Sequence, residues 1–293
     1  MKKSPPILTR EYFGLIFYFF DDPGQIRQQL LHALMCLLDT PDLTFARVSE
    51  DGERYGRFGG DFRKYISSVL LDSDFGRSHF FQLSDGSRTD LHTHLAEFSG
   101  RRIREEFRSK TPNYVYVELP IEYDPDLLWH LFVEVFRAES FFLGLGNAVL
   151  TGQLESHPRS GAEAAKALRQ SAGHQVGFWE IFGNLSYHQQ LETRQGILYG
   201  PAQFIALGSE LAPRIPFEDA LNAAGIGEQE NEHFSFFPDD CGYFFRADTI
   251  ECRRRMWHLL HPLEAQIERP WMYWKDDQWN EWYSRVSMKE QFR

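Results

Sequence analysis

Cysteine is scarce in this chain of 293 residues: only Cys36, Cys241 and Cys252 are present. An odd count with no CxxC or Cys/His spacing suits neither a disulfide framework nor a structural zinc site, so the thiols read as those of a reduced compartment. Long apolar runs are missing too. The run FGLIFYFF at residues 13–20 is too short to cross a bilayer, and Arg10 and Glu11 separate it from the lysines at the start. With no small-residue cleavage site after it, this run reads as a buried strand ended by the turn Asp21-Asp22-Pro23-Gly24. A cytoplasmic protein is expected.

The common signatures of catalysis are also lacking. The sequence contains no GxSxG elbow, no GxxxxGK[ST] loop, no GxGxxG after a strand and no HExxH. Gly144-Leu145-Gly146 has no third glycine and no helix start behind it, so it reads as a strand approached closely by other groups. Carboxylate pairs such as Glu105-Glu106 and Asp276-Asp277 have nothing to place them in a cleft, and solvated surface is the simpler reading. No cofactor pattern, metal-ligand set or catalytic residue is assigned.

Positive charge is in the minority, with 31 basic against 42 acidic side chains and a formal net charge of −11. Such a field repels nucleic acid and anionic membranes and attracts basic partners. Direct nucleic-acid or membrane binding is therefore not expected, although acidity also serves solubility alone.

Aromatic residues are abundant: 26 Phe, 12 Tyr and 7 Trp. Most must lie in a core, because ring burial supplies much of a domain's stabilisation. Residues 12–20 form an apolar strand, and Pro23 opens a helix over 25–38 with Ile26, Leu30, Leu34, Leu37 and Leu38 on one stripe. Turn signals at Asp51-Gly52, Gly59-Gly60 and Asp85-Gly86 predict hairpins, with a helix over 62–71. Residues 113–123 alternate as a strand, 125–138 form a helix and 140–150 a buried strand. A polar seam at 155–174 includes a helical piece at 162–170. Beyond it come strands over 178–182 and 195–199, a helix over 201–211, a hairpin over 234–246 and a helix over 249–260 ended by Pro262. Strands, helices and hairpins without strict alternation predict an α+β fold of mixed or antiparallel sheets with packed helices. Two loosely similar halves, 1–154 and 155–293, are expected to form one compact unit.

Two patterns carry candidate chemistry. In Asp90-Leu91-His92-Thr93-His94, a strand would put His92 and His94 on one face, where two imidazoles can share a metal ion. That alternative is a metal-dependent hydrolase. It needs further ligands on later elements, and His130, His174 and His188 sit in weakly patterned contexts; the simpler reading is a polar hairpin face. The second pattern is GEQENEHFSFFPDDCGY at 227–243. Glu228, Glu230, Glu232, Asp239 and Asp240 surround Phe236 and Phe237 there, with Phe234 beside them. Rings as anchors and carboxylates as steering charges suit a surface that meets a basic protein. WMYWKDDQWNEW at 271–282, with Asp276 and Asp277, is either part of the same face or a segment packed over the sheet. The plain alternative for each ring is burial.

The order of segments resembles the TsiV family of type VI secretion immunity proteins, associated with VRR-NUC nuclease effectors. The resemblance rests on FGLIFYFF, YVYVELPIEYDP, HLFVEVFR, GILYGPAQFIALGSELAPRI and MWHLLHPL. Its clearest stretch is residues 196–211, where the family places a strand, a turn and a helix; Phe204 and Leu207-Gly208 are the matching positions. The resemblance implies an α+β fold, no enzymatic activity and a cognate toxin effector, a nuclease, as protein partner. The inhibitor would cover the toxin's DNA-binding or active site. The matched positions are structural, so the partner-binding candidates remain the acidic-aromatic residues above. The sequence leaves homo-oligomerisation open, and a structural component of a secretion assembly is a further reading.

Overall fold

The computed structural model describes residues 9–21, 23–39, 43–50, 55–72, 79–85, 95–100, 113–137, 141–152, 202–224 and 234–263. The expected seam at 155–174, the strands over 178–182 and 195–199, and the 154/155 boundary lie outside them.

The apolar run near the start is strand β1, Thr9–Phe19. Side chains alternate across a strand, and both of its faces are apolar: Phe13, Leu15, Phe17 and Phe19 on one side, Tyr12, Ile16 and Tyr18 on the other, all buried. A strand covered on both faces belongs in the middle of a sheet. β1 lies there, between β6 (Asn113–Pro120) and β7 (Leu143–Gly152), antiparallel to each. The remaining strands are β2 (Arg47–Ser49), β3 (Gly56–Arg57), β4 (His79–Ser84), β5 (Leu95–Gly100), β8 (Phe204–Gly208), β9 (Phe234–Asp239) and β10 (Gly242–Ala247). They form one antiparallel ten-stranded sheet in the order β3-β2-β4-β5-β6-β1-β7-β8-β10-β9. The expected α+β class is what the chain adopts.

Helices cover both faces. On the side of Phe13 and Phe17 lie α1 (Arg27–Leu37), α2 (Phe62–Leu71) and α3 (Pro125–Phe136). On the side of Ile16 lie α4 (Phe217–Ala224) and α5 (Ile250–Leu260), which bury Ala220, Cys252, Met256, Trp257 and Leu260. Local chemistry starts α2 and α3. Asp61 accepts from the backbone N–H groups of Arg63 and Lys64, and Asp124 from that of Asp126, with Pro125 pre-set in the first turn of α3.

The topology repeats. Strand, helix, strand, strand, helix describes β1-α1-β5-β6-α3 once the insertion of β2, β3, α2 and β4 is set aside, and it describes β8-α4-β9-β10-α5 again. In the sheet the two triples run β5-β6-β1 and β9-β10-β8, one on each side of β7. A half-turn about an axis along β7 carries one triple onto the other and exchanges the faces, so α1 and α3 cover one side while α4 and α5 cover the other.

One expected element has the wrong type. The expected helix over 201–211 is not formed by its described residues, 202–211: Phe204–Gly208 is strand β8, paired with β7 and β10 and buried at every position. A short apolar run buried on both faces carries no periodicity to tell strand from helix, and the proline before it mimics a helix start. The amphipathic helix α4 was not expected from the sequence.

Candidate partner-binding face

The hairpin β9–β10 turns at Asp240-Cys241, with Asp239 opposite Gly242. Gly242 has a φ of +146°, and a Cβ there would meet the Leu207 carbonyl oxygen at 1.9 Å, so both conformation and space require glycine. From this turn the alternation of β9 sends its rings to opposite sides of the sheet. Phe236 is 5% exposed and packs on Phe245, Tyr243 and Phe217 on the α4 side. It is a core ring in this structure. Phe237 points to the α3 side, half-buried, stacked on Phe244 at 4.8 Å and edge-on to Trp129 at 6.0 Å.

Asp239 is not a free charge. Its Oδ2 accepts from Nη2 of Arg137 at 2.6 Å and from Nε at 3.0 Å, and the Arg137 guanidinium also sits 6.0 Å from the Phe237 ring. Burial pushes the Asp239 carboxyl up, but the hydrogen bonds from Arg137 and from the Cys241 N–H and thiol outweigh it and hold the group below the usual carboxylate range. The Cys241 thiol is pushed up to about 12, by burial first and then by Asp239, so it stays protonated and unreactive. Asp240 is exposed at the turn. Among the candidate residues the structure thus brings Phe237, Asp239 and Asp240 to one end of α3 and places Phe236 on the other face. Glu228, Glu230, Glu232, Asp276 and Asp277 lie outside the described residues, as do His92 and His94.

A neighbouring feature escaped the sequence reading. Between α1 and α3 opens a cavity of about 510 Å³ lined by His32, His130, Val133, Glu134 and Arg137. Cys36 borders it: its Sγ lies 3.6 Å from Nε2 of His32 and 4.0 Å from Oε1 of Glu134. Burial, then the charges of Glu134 and Asp39, raises the Cys36 thiol above its ordinary value. The signal was available in the spacing His-x3-Cys and His-x3-Glu, which on a helix puts each pair on one face. It becomes legible only once α1 and α3 are known to be neighbours.

On the sheet's other side the buried Arg253 of α5 donates to the Ala247 carbonyl, to Oδ1 of Asn147 and to Oε1 of Gln203, each at 3.1 Å. Burial lowers its pKa to about 10 against the opposing pull of Asp248. This network ties α5 to β7, to β10 and to Gln203, the residue before β8.

No protein-family model matches the chain, and no curated protein matches it. Among solved structures it is similar to the T6SS protein PA0821 of Pseudomonas aeruginosa, at 12% identity and a TM-score of 0.69, over 97% of this chain and 84% of that one. At that identity the likeness is one of fold. It extends over nearly the whole chain.

Proposed function

We propose that the chain is an immunity protein of a type VI secretion system, which binds and neutralises a cognate toxin effector in the cytoplasm. The toxin is a DNA-cleaving nuclease of the VRR-NUC class, and inhibition works by covering its DNA-binding or active site. The observation that carries this reading is the fold shared, over 97% of the chain, with a protein named for the T6SS. The net charge of −11 supports it. A nuclease holds phosphate on a basic surface, and an acidic protein competes for that surface and is steered toward it. The same charge is unfavourable for direct DNA binding. In this reading the protein needs no catalytic residue or cofactor, and its working parts are the exposed Asp240 at the β9–β10 turn and the half-buried Phe237 on the same hairpin, together with the acidic residues Glu228, Glu230 and Glu232 that precede it in the sequence.

The test is co-expression with the product of the adjacent gene, affinity purification of the complex, and a DNA-degradation assay with and without this protein. Co-purification with loss of nuclease activity is expected. A neighbour that binds but cleaves no DNA removes the nuclease assignment. A neighbour that neither binds nor is blocked removes the immunity reading and leaves the shared fold alone.

A further inference from the structure

We infer that the surface around Phe217, at the start of α4, is a docking site for a basic protein, with the Phe217 ring as its anchor. The inference rests on the immunity reading, and the occupant is the toxin of that reading. Among the described residues the exposed large hydrophobics are Leu71, Leu127 and Phe217, and of these Phe217 alone is aromatic, at 40% exposed. Its position in α4 is one that faces inward, because Ala220 and Leu221, three and four residues on, pack into the core below. The ring meets Phe236 at 5.9 Å and Tyr243 at 6.3 Å. It is therefore held on one side and open on the other, and a side chain already held loses little freedom when a partner covers it. The apolar surface continues beyond the ring. Pro238 lies two residues from Phe236, hence on the same side of the sheet, and stands opposite the half-buried Tyr243 in the register. Pro216, next to Phe217 in the chain, and Pro238 are both exposed. Single exposed hydrophobic residues are ordinary, but a connected patch marks an interaction surface.

Charge selects the occupant. Glu218 and Asp219 follow Phe217 directly; Glu210 comes two residues after the end of β8, where Gly208 pairs with Gly242, and Asp240 sits in the turn just before Gly242. All four carboxylates are exposed, and among the described residues none of them enters an ion pair. They outnumber the guanidinium of Arg214, which is exposed in the same stretch. On the α3 side, by contrast, Asp239 and Asp126 are each paired to an arginine. The uncompensated acid of this corner thus borders Phe217. An aromatic centre with a charged rim is how protein interfaces are laid out, and a free acidic rim favours a partner rich in lysine and arginine. A second copy of this chain would bring the same carboxylates against them, and like charges facing each other are unfavourable. Because β9 ends the described sheet, a partner seated on this patch also reaches Asp240 at the hairpin turn.

The experiment measures binding of the adjacent gene's product to the full chain and its variants, and maps the complex with the parent chain by amide hydrogen exchange. Affinities are read at a temperature where each variant's melt shows it folded. Phe217→Ala should weaken binding about tenfold or more, as truncation of an interface anchor does, and Phe217→Tyr should keep most of the affinity. Glu218→Gln combined with Asp219→Asn should slow association and flatten its salt dependence, with little change in dissociation. Leu71→Ser, which alters a comparably exposed hydrophobic residue on α2, should bind as the parent does. In the complex, amides of α4 and of residues 239–243 should gain protection. If the product binds the parent but binds Phe217→Ala equally well, or leaves α4 unprotected, the docking site is wrong and the immunity reading stands. A product that does not bind the parent removes both. Should Phe217→Ala fail to fold, the exchange map and the Glu218/Asp219 variant decide, since the map needs no substitution and both carboxylates are exposed.

Discussion

Gly144 and Gly146 of β7 show what decides stability at the residue scale. A Cβ on Gly144 would meet Phe136 at 2.9 Å and Phe132 at 3.0 Å, and one on Gly146 would meet Leu15 and Phe204, each at 2.8 Å. These rings are fully buried and have nowhere to retreat. Gly144→Ala and Gly146→Ala should therefore each cost about 1–3 kcal/mol through overpacking, against the usual gain from replacing a strand glycine; denaturant unfolding reads the difference. Asp239 adds a pH dependence. Its folded-state pKa lies below the unfolded value, so its contribution is present above the unfolded carboxylate pKa and disappears as pH falls through the folded one. Arg137 is about half exposed, which screens the pair and limits its worth to about 0.2–1 kcal/mol. Asp239→Asn should lower stability by that amount at neutral pH and flatten the acid limb of a stability–pH curve; an unchanged limb would show that the pair carries no weight in solution.

Elements differ in how far the sequence announces them. The run at 13–20 and the capped amphipathic stretches of α2 and α3 were legible because local pattern and tertiary burial agree there; the alternation at 113–120 marked a strand even though both of its faces are buried. β8 was not, because its five residues are buried on both sides and its strand state is imposed by β7 and β10. The eight residues of α4 are too few for a clear 3.6-residue period. The candidate site shows the same division. The hairpin at Asp239 and Asp240 could be read from the sequence, but the burial of Phe236, the capture of Asp239 by Arg137 and the meeting of α1 with α3 depend on neighbours distant in the chain. Arg253 bears directly on element packing. Removing it leaves the Asn147 and Gln203 carbonyls each short of a buried donor. Arg253→Ala should cost about 3 kcal/mol and loosen α5 before β1, seen as amide exchange that quickens in β10 and α5 while β1 stays protected.

At the scale of the whole molecule, the sheet divides the described helices into two layers, α1, α2 and α3 on one face and α4 and α5 on the other, and the β9–β10 hairpin lies at its edge. This constrains where the net charge acts. With Asp239 neutralised by Arg137 and Asp126 paired to Arg246 at 2.6 Å, the steering charge at the β9–β10 turn itself comes from the exposed Asp240. Reversing Asp240 to lysine, together with Glu230 and Glu232 of the same acidic segment of the sequence, while leaving Asp239 in place should slow association with the proposed toxin and weaken its dependence on salt, because charges not engaged in the bound state act on encounter more than on the complex. Adding Asp239→Lys places a cation against Arg137 and should also speed dissociation and cost stability. Stopped-flow association at low and high salt distinguishes the two effects. A triple variant that associates as fast as the parent at low salt would move the interface away from this turn, toward whichever face still carries unpaired acid.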